Sequence, residues 1–212
     1  SSGRTWGCSR RRSWSSRAPA GLPRPCVCTM VSAMASPQTL SEADRRIVAT
    51  WAADCAERVL PLFEAEAPSD GRPSDAIARA RAFGRGELDA AGEIRRRFVA
   101  GRAAKVVSGP AAVAAARSAA QASGVAHMGA HALGAAAYAA KAAGLAKADG
   151  TGATSDEIRW QLEHASDPVR DALRRLPALG EDPAGPLGSG LLASGVLADI
   201  IRSIQAGLAR PR

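Results

Sequence analysis

The stretch Trp51-Ala-Ala-Asp54-Cys55-Ala-Glu57-Arg58-Val59-Leu60-Pro61-Leu62-Phe63-Glu64 decides the fold class, together with Asp70-Gly-Arg72-Pro73 and Ala76-Ile77-Ala-Arg79-Ala-Arg81-Ala-Phe83-Gly-Arg85-Gly86-Glu87. Ile47, Trp51, Cys55, Val59 and Phe63 recur every fourth residue, the spacing of one helix face. Upstream, Leu40-Ser41-Glu42-Ala43-Asp44 supplies a helix start. Ser41 is a good N-cap, acids fill the first turn, and Leu40 stands where a hydrophobic staple would. Pro61 pushes Leu60 away from α geometry, so a kink or restart is expected there. Pro68-Ser69-Asp70-Gly71 reads as a turn. Pro73 suits the first position of a second helix, expected to run to about Arg85 and to end at Gly86.

Composition extends this reading to the whole chain. Aromatic residues are only 4% of 212, while Ala supplies much of the apolar 46%. Ala is the best helix former and a poor strand former, so the expected fold is all-α: a single Ala-rich multi-helix bundle with poorly ordered ends. Ala buries little area, which implies a core anchored by few large groups. Trp51, Cys55, Phe63 and Trp160 are the expected anchors.

Further along, a third helix is expected over about Ala90–Val107, with Ile94 and Phe98 inward. Gly109-Pro110 opens a region to about Ala148 in which nearly half of the residues from 101 are Ala, read as a buried central hairpin. His127, His131, Lys141 and Lys147 interrupt it, so it does not read as a membrane span. Thr154-x-x-Glu157 reads as a capping box for a helix through about Ala165, and Asp167-Pro168 starts another short helix to Leu176. Residues 179–190 read as a Pro/Gly-rich flexible linker. Residues 191–212 carry Leu192, Val196, Ile200, Ile204 and Leu208 at four-residue spacing, an amphipathic helix with a narrow stripe. The main helical domain is thus placed at 37–178.

The net charge of +8 is a property of the ends. Residues 1–33 hold six arginines and no acid, whereas residues 34–183 hold 19 basic and 19 acidic residues. A basic excess outside the folded part does not make a nucleic-acid-binding domain. Residues 1–36 form a basic low-complexity tail without helical periodicity. It reads either as a transit peptide or, preferably, as sequence upstream of a start near Met34. Three of the four cysteines lie in this tail, and Cys55 alone sits in the body. That usage suits a reducing cytoplasm rather than a disulfide scaffold.

Two constellations could carry function. His127 and His131, four apart on an expected helix, share a face and are weak candidates for metal ligands, with no third ligand evident nearby. Asp54, Glu57, Asp70, Arg72 and Arg81 form a denser polar set. It either pins the first two helices together or faces a partner. Arg95-Arg96-Arg97 reads most simply as a solvated helix face. No phosphate-cradling loop or nucleophile elbow is present. No catalytic residue and no cofactor are therefore assigned.

The Trp51–Glu64 motif with Asp70-x-Arg72-Pro73 resembles the Imm-5-like immunity proteins. So do Ala130-His131-Ala132-Leu133-Gly134-Ala135-Ala136-Ala137-Tyr138-Ala139 and Trp160-Gln161-Leu162-Glu163, and the similarity covers roughly residues 38–178. Phe83-Gly84 departs from the family pattern, which has a better helix former after the aromatic. The resemblance implies a helical, bacterial, cytoplasmic protein, not an enzyme, whose partner is a cognate protein toxin of the polymorphic type. The charge distribution and the interrupted Ala-rich run point to no nucleic-acid and no membrane partner. Two other readings stand beside the resemblance: a metal-dependent helical enzyme using His127, His131 and a distant carboxylate, and a helical scaffold that oligomerises through the Ile200 stripe.

Overall fold

The computed structural model describes residues 36–96, 99–147 and 151–210. The expectations for the tail before residue 36 and for Phe98 lie outside them. All regular structure among the described residues is helical: α1 (Glu42–Glu64), α2 (Arg72–Gly84), α3 (Ala90–Arg96), α4 (Pro110–Gly124), α5 (His131–Ala146), α6 (Thr151–Glu163), α7 (Asp167–Arg174) and α8 (Gly195–Ala209), with short 3-10 turns between some of them.

α1 begins as its sequence dictates, with Ser41 Oγ accepting from the Asp44 amide at 3.1 Å. It then runs unbroken through Pro61. The helix does not restart at Leu60, since only three helical residues follow the proline. In addition, Glu57, whose carbonyl would normally bond to residue 61, faces solvent. Trp51, Cys55, Val59 and Phe63 are buried, but Ile47 is 38% exposed, and Val48 and Ala49 turn inward in its place. A four-residue spacing drifts about 40° per step around an α-helix, so it cannot hold one face across the whole of α1.

α2 packs along α1, and Arg46 closes the far end of that pairing. Its guanidinium donates to the carbonyls of Phe83 and Leu88 and lies 4.5 Å from the centre of the Phe83 ring. A cation thereby satisfies carbonyls at the C-terminus of α2 and completes a cation–π contact. Gly84, the departure noted above, is required by this approach. A Cβ there would collide with Thr50 Oγ1 and stand 3.1 Å from the Arg46 carbonyl oxygen. Gly86, at φ +82°, then turns the chain as expected.

The third expected helix divides into α3 and a 3-10 turn over Ala100–Lys105. Its inward residue is Glu93, because Arg79 of α2 reaches across to pair with it at 3.1 Å, while Ile94 is only half-buried.

α4 and α5 form the central hairpin. Every residue from Ala132 to Ala140 is buried, and α1, α4, α6 and α8 all pack on α5. A helix enclosed on every side must carry small groups if its neighbours are to approach closely, and the Ala/Gly composition of this segment meets that demand. Where α4 passes α5, Ser118 Oγ donates to the Ala135 carbonyl at 2.7 Å.

The C-terminal third differs from its reading in three ways. α6 starts at Thr151, so Thr154 lies inside the helix and caps nothing. Residues 177–190 are tied down rather than free: the Gly180 amide bonds to the Leu187 carbonyl at 2.8 Å, and Leu187 is fully buried. The Leu187 amide in turn donates to Gln38 Oε1 at 2.9 Å, across most of the chain. Finally, Ile200, Ile201, Ile204 and Leu208 of α8 are buried within the chain itself, against α5, α6 and α7, while Val196 is 58% exposed. The stripe is therefore covered from inside, which removes the basis for an oligomerising scaffold. No described helix is long and apolar enough to cross a membrane.

Gly84 provides a test of the α1–α2 packing. Gly84→Ala improves helix propensity by up to about 1 kcal/mol, yet the added methyl is driven into Thr50. A net loss of about 1–2 kcal/mol is expected in urea unfolding. Adding Thr50→Ala should recover most of it. A single variant more stable than the parent would show that the end of α2 is not held against α1.

Candidate functional site

The densest set of interacting polar side chains lies on the outer side of α1, flanked by α2 and α6. α1 contributes Asp54, Glu57 and Arg58, which helical spacing brings to one side. From α2, Arg81 donates to both acids: Nη2 to Asp54 Oδ1 at 2.6 Å, and Nη1 and Nη2 to the two Glu57 oxygens at 2.6 Å each. One guanidinium thus bridges two carboxylates, a forked geometry that lysine could not reproduce. The cluster is wet, with side-chain exposures of 27% for Arg81 and 54% for Glu57. The Arg81 hydrogen bonds hold the Glu57 carboxyl below its usual range, against a smaller opposing effect of burial.

The other flank is aromatic. Arg58 Nε lies 2.9 and 3.1 Å from the two oxygens of Glu157 on α6. Its guanidinium carbon also sits 3.9 Å from the centre of the Trp160 ring. Trp160 in turn stacks on His164, with centroids 4.0 Å apart and planes 19° apart. Trp160 is therefore not a core anchor, as its residue type suggested, but a half-buried plate at the surface. Its position on α6 turns it toward Arg58, and Trp51 occupies the interior instead.

A buried polar seam supports this face. Trp51 Nε1 donates to the Gln161 carbonyl at 3.0 Å. Gln161 Nε2 donates to the Ala136 carbonyl of α5 and to Glu157 Oε1, at 3.1 and 3.2 Å. α1, α5 and α6 are thus joined by one chain of hydrogen bonds that ends at Arg58. Cys55, fully buried beside it, is inert by the same logic. Burial first, then the nearby Glu157 and Asp54 charges, push its thiol well above the usual range.

Of the five polar residues expected to act together, the structure unites Asp54, Glu57 and Arg81. Asp70 and Arg72 pair locally at the start of α2, with Arg72 Nε donating to Asp70 Oδ1 at 2.8 Å. They stand about 13 Å along the helix from Arg81. That bond is the main reason the Asp70 carboxyl lies below its usual range. Sequence reasoning missed Arg58, Glu157 and His164. The pairing of Arg58 with Glu157 spans 99 positions, and no local spacing signals it. Glu157 also carried a misleading signal, because Thr154 precedes it at capping-box distance.

His127 and His131 do not share a helix face. His127 lies in the turn between α4 and α5, and His131 opens α5. Their ring centres are 6.4 Å apart, and His131 Nδ1 lies 2.7 Å from Gln121 Oε1. No group of three His, Cys, Asp or Glu side chains among the described residues is arranged to hold a metal ion. Both histidines line a cavity of about 730 Å³ between α4, α5, the Ala100–Lys105 turn and the 185–192 segment.

The chain is thus an all-helical protein that carries an aromatic and arginine cluster on one face. The comparison with known families gives this class a specific identity. The family described as "Imm-5 like putative immunity protein" matches residues 38–168, and the chain belongs to it. Nothing among the curated proteins or the solved structures matches the chain.

The Glu57–Arg81 link predicts a particular acid response. Because the folded-state value of Glu57 is depressed, its stabilisation is fully present above its ordinary value near 4.5 and is lost as pH falls through the lower folded value. Glu57→Gln should therefore cost about 0.5–1 kcal/mol at pH 7, as exposed pairs do. The gap to the parent should close as pH falls below about 4.5, measured by urea unfolding at a series of pH values. A gap independent of pH would show that the carboxylate is not what Arg81 holds.

Proposed function

We propose that this protein is a non-enzymatic immunity protein that binds a cognate bacterial toxin in the cytoplasm and holds it inactive by stoichiometric contact. Family membership supports the immunity role. The observation that carries the contact mechanism is the half-exposed Trp160 plate, stacked by Arg58 and His164 on a rigid hydrogen-bonded base. Trp and Arg dominate the energetics of protein interfaces, especially where they are already ordered before binding. Here Arg58 is held by Glu157, so little rotamer freedom remains to be lost on association. The adjoining Asp54–Glu57–Arg81 cluster supplies a charged rim of both signs, which suits orientation and partner choice more than raw affinity.

In this mechanism the protein acts by covering its partner, so protection scales with complex formed rather than with turnover. The polar set divides into two roles. Asp70 and Arg72 organise the start of α2. Asp54, Glu57 and Arg81 both tie α2 to α1 and border the docking face.

The test uses a candidate toxin sought among the genes neighbouring that of this chain. Co-production should restore growth of cells making that toxin. Trp160→Ala and Arg58→Ala should each weaken the purified complex about tenfold or more, the range of interface hot spots, with melting recorded separately. Asp70→Asn should leave affinity within about twofold. Full affinity in folded Trp160→Ala and Arg58→Ala proteins would move the contact to another face. Failure of the parent chain to protect would remove the immunity reading.

A further inference from the structure

We infer that the cavity between α4, α5, the Ala100–Lys105 turn and the 185–192 segment is a binding site for a small organic anion with an apolar body. This goes beyond toxin neutralisation and uses a different part of the molecule from the Trp160 face. Its volume, about 730 Å³, falls in the range of roughly 300–1,000 Å³ typical of sites for small ligands.

The charge of its lining is of one sign. Arg102 and Lys105 stand at the rim, and no Asp or Glu lines the cavity. Neither cation makes an ion pair with a described residue. This contrasts with arginines 46, 58, 72, 79, 81 and 85, each held by a carboxylate. Two cations on one wall of an open cavity, with no acid in the lining to compensate them, favour an anionic guest. A guanidinium and an ammonium together can take both oxygens of a carboxylate or phosphate head.

The interior fits the other half of such a guest. Met128, Leu191 and Leu192 line the cavity beside Ala and Gly backbone, and Leu191 is 62% exposed. The same lining includes a hydrogen-bonded polar pair, His131 and Gln121, joined at 2.7 Å. Two glycines make room for this pair. A Cβ on Gly124 would stand 2.9 Å from the His131 ring, and one on Gly134 would collide with the Gln121 amide. Glycine at both positions gives these polar side chains room against the helices.

Titration calorimetry on the full chain tests the site with octanoate, octyl phosphate, octanol and inorganic phosphate. One-to-one saturable binding of octanoate or octyl phosphate is expected, at least tenfold tighter than octanol and inorganic phosphate; the stronger of the two anions identifies the head group. Arg102→Ala and Lys105→Ala should each weaken it several-fold, and together at least tenfold, without lowering the melting temperature. Gly190→Trp should abolish binding by filling the mouth, since the backbone there is extended and a Cβ meets nothing within 4 Å. Absence of saturable binding would overturn the proposal, as would equal affinity for octanol, affinity unmoved by the two cation variants, or inorganic phosphate binding as tightly as octyl phosphate. In cells, Gly190→Trp should leave toxin protection intact. Its loss in a folded variant would show that the cavity receives the toxin instead.

Discussion

The rest of the structure depends on one constraint: α5 is buried among four other helices. From Ala132 to Ala140 every residue is buried, and α1, α4, α6 and α8 lie against it. A helix in that position cannot carry a stripe of large residues, because its neighbours on every side would be pushed apart. It carries Ala and Gly, and the close approach so permitted lets backbone carbonyls become hydrogen-bond partners for side chains on adjacent helices. Ser118 reaches the Ala135 carbonyl and Gln161 reaches that of Ala136. Dispersion contacts between closely packed backbones replace much of what large apolar side chains would otherwise contribute.

The large groups are consequently placed around this helix. Trp51 and Phe63 on α1, Phe83 on α2, Leu173 on α7 and the isoleucines of α8 form the outer layer of the core. Gly84 and Gly207 belong to the same economy of space. Each stands where a Cβ would strike a side chain of the facing helix, Thr50 in one case and Leu162 in the other. Residues that weaken helices locally are here the condition for packing them, an instance of tertiary contact overriding propensity.

The seam from Trp51 through Gln161 and Glu157 to Arg58 links this interior to the surface. It ties Arg58 and Trp160 to a buried arrangement, so the proposed recognition face rests on core geometry rather than on a loop. The Arg102–Lys105 rim lies on a different wall, built by a 3-10 turn and a segment near the C-terminus. The immunity family places the chain in a functional class, and the two walls divide the labour proposed for it: a rigid aromatic plate for a protein surface and an electropositive cavity for a small anion.

The sequence by itself determined the helical class, the Ser41 cap, the turn at Gly86, the central Ala-rich hairpin and the burial of Trp51, Cys55 and Phe63. Each depends on neighbours within a few turns, and those interactions are encoded in spacing. The family signature was legible for a similar reason, since its motif gathers unusual residues in a short span. Tertiary structure alone decided that Trp160 faces outward, that Glu157 serves Arg58 instead of a capping box, and that the 177–190 segment is held by Gln38. It also decided that His127 and His131 lie on a turn and a helix start rather than on one face, and that the α8 stripe is covered from within. All of these rest on partners far apart in the chain, or on where a helix begins and how it is oriented. Those follow from packing around α5, and local periodicity carries no record of it.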